Sequence, residues 1–397
     1  MAKETWKTQS YWSLPVYTGD VSGVCSALYE LGGMVVMHDP SGCNSTYNTH
    51  DEIRWSEMES LIFLSGLTQM DAITGNDSRL IRDIEECAKE FHPAFIAIAN
   101  SPVPWLIGTD FRAICAQVNA RTSIPCFHVE TNAMHDYTAG AAQAFRQLAR
   151  MLVPAPGKDK PDIDRLRLRR RVPAADERIR VNIIGMTPLD FTAPGESKQL
   201  RLLLEQNGFE VVSSWAMGCT LEELKRSHLA DANLVVSSCG IEAARWLEET
   251  FGMPYVAGIP CGAFAPVLYE ALEKAARDGR SSVPYLEVMS RIQGRKGGRC
   301  VAGEPVTMGS LAADRILTDH EPCSLVPLTE TVRGLVPDQT VRPAGELQIR
   351  EALGCYDAVC ADPMLADACR EGAQFEELPH FALSGRMYLN RIQSHFT

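Results

Sequence analysis

The sequence predicts an α/β protein with three Rossmann-like, doubly wound parallel-sheet domains around a central cleft. Strand-like and helix-like segments alternate along most of the chain, which is typical of parallel sheets covered by helices. The clearest strand, Ala94–Ala99, is apolar throughout, as expected of a strand buried on both faces. The length of 397 residues accommodates three such units, each with its own core.

The composition is that of an ordinary globular protein, with 45% hydrophobic and 22% charged residues, which excludes a disordered or collagen-like chain. The net charge of −12 disfavours a dedicated binder of nucleic acids or anionic membranes. No apolar run reaches the roughly 18 residues of a membrane span, and the N-terminal stretch lacks the apolar region of a secretory signal. We therefore expect a cytoplasmic protein with neither a nucleic-acid nor a membrane partner.

The first domain is expected at residues 1–153 and holds the clearest helix of the sequence. Apolar side chains occupy one face of this helix, and His92-Pro93 ends it just before the apolar strand. The expected elements of this domain are helices at Asp77–Phe91, to about Arg121 and to about Val153, and strands at Ala94–Ala99 and Pro125–Val129.

Residues 154–180 are expected to form a linker, because they contain four prolines and the basic run Arg165–Arg171. For this run, a solvated linker or surface helix is favoured over docking of an acidic partner. The second domain is expected at 181–298 and the third at 299–397. Their expected strands are Val181–Met186, Phe209–Ser214, Asn233–Ser237, Tyr255–Ala257, Ser324–Pro327 and Ala358–Ala361, and their expected helices are Lys198–Gln206, one after a Thr220/Glu223 capping box, Ile241–Phe251, Val306–Asp319 and Pro363–Arg370.

Ligands of doubly wound sheets bind beyond the carboxyl ends of the strands. The loops at those ends are therefore expected to form the walls of the cleft. They are Ser101–Asp110, Thr131–Tyr137, Met186–Ser197, Ser238–Gly240 and Gly258–Phe264.

The chain contains 13 cysteines, an odd number without any CxxC pair, so neither a disulfide framework nor a zinc ribbon is expected. Most of them are interpreted as small buried hydrophobic residues. Cys25 and Cys43 differ, because each follows a glycine-containing turn and precedes a helix-like segment. A helix N-terminus favours thiolate, and thiolates hold iron–sulfur clusters. Two cysteines alone do not complete a four-ligand site.

Six segments, in order along the chain, resemble motifs of the nitrogenase component 1 family. The resemblance extends from about Tyr17 to Arg386, and it is the order of the segments that makes it specific. They are His38-Asp-Pro-Ser-Gly-Cys43-xxx-Tyr47, Asp71-Ala-Ile-Thr-Gly-Asn-Asp-Ser-Arg-Leu80, Ser101-Pro-Val-Pro-Trp-Leu-Ile-Gly-Thr-Asp110, Ile124-Pro-Cys-Phe127, Leu247-Glu-Glu-Thr-Phe-Gly-Met-Pro-Tyr255 and Leu378-Pro-His-Phe-Ala-Leu-Ser-Gly-Arg386.

The resemblance implies a cluster site that departs from the family pattern. Family subunits give three cysteines to an interfacial cluster; Cys25 and Cys43 match the first two, and the third position falls at Ser101. Two cysteines from each of two subunits supply the four thiolates of one [4Fe–4S] cluster. The hypothesis is a dimer with this cluster at its interface, Ser101 or Cys126 being near neighbours. The alternative is that Cys25 and Cys43 are ordinary buried thiols.

The resemblance also bears on the substrate and on the electron donor. The cysteine that holds the family's iron–molybdenum cofactor falls at Ala244, and the nearest candidate for its histidine is His380. We therefore expect no iron–molybdenum cofactor, and an organic or tetrapyrrole-like substrate instead of dinitrogen. The sequence has no P-loop, so the resemblance implies a separate ATP-hydrolysing iron protein as electron donor, and a second copy or similar subunit in a dimer or α2β2 assembly.

Proton donors are expected beside the cleft, because reductive chemistry takes up a proton with each electron. The best pair is His135-Asp136, in which the aspartate would orient the imidazole, and His380 is a third candidate. For each of them the alternative is a hydrogen-bonded loop residue without a catalytic role.

Three functions remain open on the sequence. The first is the catalytic component of a nitrogenase-like reductase. The second is a scaffold for assembly of a nitrogenase-type cofactor, and the third is a binding module that captures a metal chelate without redox work.

Overall fold

The computed structural model describes residues 18–40, 52–153, 172–174, 176–292, 298–330, 332–340 and 342–396. These residues form three four-stranded sheets, every strand pair of which is parallel, so the predicted fold class is confirmed. We call the three sheets with their helices the first, second and third units. Cys43, most of its motif and the basic run Arg165–Arg171 lie outside the described residues.

The first unit has helices on both faces of its sheet. Alternate residues of one strand, such as Val35 and Val36, enter two different hydrophobic clusters, one on each side. The strands are β1 (Met34–His38), β2 (Leu61–Leu64), β3 (Ile96–Asn100) and β4 (Cys126–Val129), and the helices are α1 (Asp20–Leu28), α2 (Gln69–Thr74), α3 (Ser78–Phe91), α4 (Pro102–Leu106), α5 (Phe111–Thr122) and α6 (Tyr137–Leu152).

The second unit repeats this arrangement after residue 178. Its helix after the predicted Thr220/Glu223 capping box does have both capping hydrogen bonds, so that prediction is confirmed. The strands are β5 (Ile179–Met186), β6 (Phe209–Ala216), β7 (Ala232–Val235) and β8 (Tyr255–Ala257), and the helices are α7 (Glu196–Gln206), α8 (Leu221–Lys225), α9 (Ile241–Phe251), α10 (Ala265–Asp278) and α11 (Pro284–Arg291).

The third unit has one long helix and two short ones. The segment expected as a helix at Pro363–Arg370 is a 3-10 helix at Pro363–Ala368, because Asp362 caps it and the chain is already extended at Cys369. The strands are β9 (Arg299–Gly303), β10 (Cys323–Pro327), β11 (Ala358–Ala361) and β12 (Gln374–Glu377), and the helices are α12 (Pro305–Asp319), α13 (Glu346–Leu353) and α14 (Phe381–Ser384).

All three sheets share one strand order, in which the first strand of the unit lies between the second and the third. In the first unit, Val36 of β1 pairs with Phe63 of β2 on one side and with Ile98 of β3 on the other. The chain therefore leaves the first and the third strand toward opposite sides, which opens a crevice at their carboxyl ends. Every unit thus has one favoured position for functional side chains.

Helices α1 and α6 of the first unit cross at close range, and α6 also packs against the second unit. A Cβ atom on Gly23 would lie 2.0 Å from the Tyr137 carbonyl oxygen, and one on Gly140 would lie 1.9 Å from the Asp20 carbonyl oxygen. Only glycine allows two helix backbones to approach this closely. On the far side of α6, Phe145 meets Trp215 of the second unit edge-on, at 6.1 Å between ring centroids. The same crossing positions both Cys25 and Tyr137.

Candidate active site

The three units meet at a buried group of polar side chains, which we call the central junction: Tyr137, Asp190, Glu304, Asp362 and His380. Each lies at or just beyond the carboxyl end of a sheet, and each is buried. The hydroxyl of Tyr137 donates a hydrogen bond to Asp190 Oδ1, and His380 Nε2 lies 3.1 Å from the same oxygen. One carboxylate of the second unit thus joins side chains of the first and the third.

Two further carboxylates hold the backbone around this group. Glu304 follows β9 and caps α12, accepting hydrogen bonds from the backbone N–H groups of Val306 and Thr307 at 2.9 Å. Its other oxygen accepts one from Ser238 N at 2.7 Å, across the boundary between the second and third units. Asp362 follows β11 and accepts hydrogen bonds from His380 N and Ser384 Oγ, both at 2.8 Å.

Burial and the neighbouring charges favour the protonated forms of the junction side chains. Burial raises the pKa of Glu304 and of Asp362. Burial also raises the pKa of Tyr137, and the nearby Asp190 and Glu304 add to this effect. For His380, burial by itself lowers the pKa, but the hydrogen bond and charge of Asp190, together with the charges of Asp362 and Glu304, outweigh it, so that the pKa lies above its ordinary value. The junction is therefore a place where protons are held.

Four buried polar atoms at this place have no hydrogen-bond partner within the described part of the chain: Ser238 Oγ, Thr307 Oγ1, Thr329 Oγ1 and His380 Nδ1. The backbone N–H groups of Ser238 and Thr307 both bind Glu304, so their side chains lie beside the junction. Buried polar atoms in proteins nearly always have partners. These four are therefore available to a polar ligand bound between the second and third units.

Cys239 lies next to the central junction, although no sequence motif singles it out. It follows β7 in the loop Ser238–Gly240, is completely buried, and its sulfur lies 3.7 Å from the Gly185 carbonyl oxygen. Burial raises the pKa of its thiol, and the charges of Asp190 and Glu304 add to that. The position that the resemblance pointed to, Ala244, lies inside α9 and away from the strand ends. The sequence did contain one indication of its role, because Cys239 lies in the loop Ser238–Gly240, which is predicted to line the cleft.

The pair His135-Asp136 does not form the expected couple. His135 Nδ1 lies 3.0 Å from Glu330 Oε1, and the histidine side chain is half exposed. Asp136 instead caps α6 through Thr138 N at 2.9 Å and accepts a hydrogen bond from the backbone of Glu330. The prediction that Asp136 orients His135 is therefore wrong, because the N-cap position turns the carboxylate toward backbone donors. Both residues bridge the first and third units at the rim of the junction.

The environment of Cys25 also differs from the expectation. Cys25 is the sixth residue of α1 and is completely buried, so it is not at a helix N-terminus. Burial raises the pKa of its thiol, and the charge of Glu52 adds to the effect. The helix starts earlier than expected because Asp20 stands at its first turn and accepts backbone hydrogen bonds from Asn132 and Ala133.

Ser101 stands directly after β3, at the carboxyl edge of the first sheet. Its hydroxyl is buried without a hydrogen-bond partner among the residues described here. Residues of β3 alternate between the faces, and Ala97 and Ala99 share the hydrophobic cluster of Cys25, so Ser101 continues the face that Cys25 covers. Cys126 is not a near neighbour, contrary to the expectation: it begins β4, pairs with Ile96 at the opposite end of the sheet, and contacts the other face.

The described residues fit part of a thiolate cluster site. A buried thiol on α1 and an unpartnered hydroxyl at the sheet edge lie on one face, in an apolar environment. Within the described ranges, however, no group of three His, Cys, Asp or Glu side chains is arranged to hold a metal ion. Cys25 therefore needs further ligands, from the segment 41–51 or from another chain.

The same edge of the first sheet exposes apolar side chains on the two short helices that follow β2 and β3. Ile73 of α2 is 72% exposed, and Leu106 of α4 is 70% exposed. Met70, Trp105 and Ile107 are also large and exposed. Large exposed apolar side chains next to a candidate site are typical of a protein–protein interface.

The fold is an α/β architecture of three parallel-sheet units that meet at a buried polar junction. The family model for nitrogenase component 1 type oxidoreductases matches residues 23–329, and the chain belongs to this family. Within the described residues, no helix is both long and apolar enough to cross a bilayer.

Curated relatives fall into two functional groups. The nitrogenase iron-molybdenum cofactor biosynthesis protein NifE of Methanosarcina barkeri is 24% identical over 226 residues, which are 56% of this chain and 46% of that protein. One of the subunits of the light-independent protochlorophyllide reductase of Synechococcus sp. (strain RCC307) is 29% identical over 206 residues, 49% of this chain and 37% of that protein. The chain thus aligns with less than half of the length of these two relatives.

The fold is also found in a solved structure of nitrogenase Cp1 at pH 6.5. The two superpose with a TM-score of 0.67 at 14% sequence identity, over 99% of this chain and 92% of the other. This likeness concerns the fold, and it extends over all three units.

Proposed function

We propose that the chain is the catalytic component of a nitrogenase-like reductase, which transfers electrons to a bound organic or tetrapyrrole-like substrate. The observation that carries this proposal is the central junction, where three units bring together buried acid–base groups and polar atoms available to a ligand. A substrate reduced there needs protons as well as electrons. The similarity to a protochlorophyllide reductase supports the reductive class.

His380 is the proposed proton donor. Asp190 accepts a hydrogen bond from Nε2 of the imidazole, so Nδ1 is the nitrogen left for the substrate. Tyr137 donates to the same carboxylate and prevents it from turning away. At the rim, His135 contacts Glu330 and is exposed enough to exchange protons with water, while Asp136 holds the first and third units together. We retain both as candidates for proton supply.

Cys25 and Cys43, with their counterparts in a second copy or a similar subunit, would hold one [4Fe–4S] cluster. When bound, such a cluster stores and passes single electrons. Around it, the buried position of Cys25 excludes water, and Ser101 presents a hydroxyl that has no partner among the described residues. An iron–molybdenum cofactor is not part of the proposal, because Ala244 carries no ligand atom.

The exposed apolar side chains of α2 and α4 support an assembly with a second subunit, as a dimer or an α2β2 complex. They surround the edge at which Cys25 lacks further described ligands. An ATP-hydrolysing iron protein is the proposed electron donor, in keeping with the family to which the chain belongs.

The proposal is tested by anaerobic purification followed by iron and sulfide analysis and by electron paramagnetic resonance of the reduced protein. The Cys25→Ser variant should lose the iron and the signal of a reduced cubane. Cys300→Ser is the matched control, since Cys300 is equally buried but lies in the third unit, in β9. Equal iron in Cys25→Ser and in the wild type would refute the cluster site.

A scaffold for cofactor assembly is the second candidate function, and the thiol of Cys239 favours it. This buried cysteine lies next to the junction, and a precursor cluster bound there would have to displace its proton, because burial and the charges of Asp190 and Glu304 raise the pKa of the thiol. The relative that carries out cofactor biosynthesis points to the same function. A scaffold would copurify with a larger cluster that Cys239→Ser releases, and it would show no turnover with an iron protein. A protein free of iron would instead indicate a binding module for metal chelates.

A further inference from the structure

A pair of cysteines in the first unit lies outside both sites described above. Cys115 is on α5 and Cys126 begins β4, which α5 covers. The ring of Phe111 stacks on His128 at 4.3 Å between centroids, with only 7° between the ring planes. This contact fixes how the helix lies over the strand.

The same contact places the two thiols opposite each other. The chain reverses direction between α5 and β4, so advancing along the helix means moving back along the strand. Cys115 lies four residues after Phe111, about 6 Å along the helix, and Cys126 lies two residues before His128, about 6.6 Å along the strand. The two thiols share a hydrogen bond.

The surroundings of the pair differ from those of an inert buried cysteine. Cys115 belongs to the hydrophobic cluster that covers this face of the sheet, and Cys126 packs against it. However, β4 is the edge strand, and Cys126 is only partly buried. The pair is thus open to solvent on the side of Cys126.

We propose that Cys115 and Cys126 form a redox-active dithiol that is oxidised to an intramolecular disulfide by a disulfide-class oxidant. One cysteine thiolate attacks a sulfur of the external disulfide, forms a mixed disulfide and releases the first thiol. The other cysteine then attacks the protein sulfur of the mixed disulfide and releases the second. Two protein thiols and one external disulfide thus yield one protein disulfide and two external thiols.

The electrostatics of the pair support this chemistry. The hydrogen bond from Cys126 lowers the pKa of the Cys115 thiol, even though burial acts in the opposite direction. A thiolate, not a thiol, is the nucleophile in disulfide exchange. The same hydrogen bond raises the pKa of Cys126, so the proton stays on Cys126 while Cys115 takes the thiolate form more readily.

Bridging this pair also acts on the carboxyl edge of the first sheet. Phe111 meets His38 edge-on at 5.8 Å, and His128 Nε2 lies 2.7 Å from Asn100 Oδ1, next to Ser101. A disulfide bond between Cys115 and Cys126 would pull α5 toward β4 and so change the geometry of these contacts. The dithiol itself does not depend on the proposed function, since its oxidation is measured without turnover.

The test uses the full chain, purified and reduced without oxygen. The protein is incubated with oxidised glutathione, alkylated with iodoacetamide and digested with trypsin. Arg121 lies between the two cysteines, so the disulfide joins two separate peptides, which mass spectrometry identifies directly. We expect the Cys115–Cys126 peptide pair to form and to disappear again on addition of dithiothreitol.

Variants sharpen the test. Cys126→Ser should abolish the linked peptides and leave Cys115 either free or bound to glutathione, whereas Cys355→Ser, which removes an exposed cysteine, should leave them unchanged. Separate alkylation of Cys115 and Cys126 in the oxidised wild type would overturn the proposal. That outcome needs no variant, so a folding defect of Cys126→Ser does not obscure it. Iron content does not enter this result, so it is distinguishable from failure of the proposed cluster.

Discussion

The central junction and the carboxyl edge of the first sheet are both polar sites at the ends of parallel strands, yet they differ in how complete they are. In the junction, Tyr137, Asp190 and His380 come from three units and bind one another within one chain. In the first unit, Cys25 has no described set of further metal ligands, the Ser101 hydroxyl has no described partner, and apolar side chains are exposed on the helices that follow β2 and β3. The comparison indicates that one chain suffices to build the junction, whereas a cluster at Cys25 would need further ligands, from residues 41–51 or from another chain.

The crossing of α1 and α6 connects the two regions, so disturbing it should have the largest effect. Gly140→Ala would place a methyl group 1.9 Å from the Asp20 carbonyl oxygen. We expect the free energy of unfolding to fall by about 3 kcal/mol, measured by urea denaturation. Gly303→Ala is the control, because a Cβ atom there meets nothing within 4 Å. Equal stabilities of the two variants would contradict the observed packing.

Asp190→Asn should affect the junction alone. Removing this charge leaves His380 without its anionic partner, and we expect a loss of about 3 kcal/mol in unfolding free energy at pH 6.

The unfolding free energy of the wild type should also depend on pH. Because the pKa of His380 is raised by folding, its contribution is complete below the ordinary histidine pKa of 6.5 and is lost as the pH rises through the higher, folded value.

The pH dependence of unfolding in the Asp190→Asn variant should lack this decline between neutral and mildly alkaline pH. His228→Gln serves as the control. Among the hydrogen bonds of the described residues, His228 makes one through Nδ1, to the backbone carbonyl of Lys225. An unchanged pH profile in Asp190→Asn would show that the charge of Asp190 does not hold the proton on His380.

Leu106→Asp should affect the edge of the first sheet alone. A charge at this exposed position would weaken association of the subunits at least tenfold. This corresponds to a loss of roughly 1.4 kcal/mol in the free energy of association. The unfolding free energy should change by no more than about 0.5 kcal/mol. Sedimentation equilibrium measures the association. Leu202→Asp, at an exposed position of α7, is the control and should leave the oligomeric state unchanged.

His135→Gln should have the smallest effect. His135 is half exposed and contacts Glu330 at the surface, so thermal unfolding should reveal a loss of no more than about 0.5 kcal/mol. If His135 only exchanges protons with water, turnover should fall by a few-fold, far less than in a His380→Gln variant. A larger loss of turnover in His135→Gln than in His380→Gln would reverse the assigned roles.

The sequence predicted the fold class and many of the elements, because apolar runs such as Ala94–Ala99 carry a local signal. Tyr255–Ala257, Ile241–Phe251 and Ala358–Ala361 are predicted to the residue. The strands β1 and β2 were missed. In β1 all five residues are buried, but the strand is short and leads directly into the His38 motif, so it has little periodic signal of its own.

The junction was only partly predictable. His380 was recognised through a motif, but Asp190 was not, because a single aspartate in a loop has no characteristic spacing. Its partners lie 53 and 190 residues away along the chain, so only the folded structure brings them together. The position of Cys25 inside α1, instead of at its N-terminus, was not predicted for a similar reason: the start of α1 depends on contacts of Asp20 with residues more than 100 positions away.

The central claim is that two chains share one cubane at the edge of the first sheet. Native mass spectrometry of the anaerobically purified assembly tests it most directly, because it counts chains and bound iron in the same ion. We predict a dimer, or an assembly with a similar subunit, that carries about four iron atoms per pair of subunits and loses them together in Cys25→Ser. A monomer with a full complement of iron, or a dimer without iron, would contradict the account.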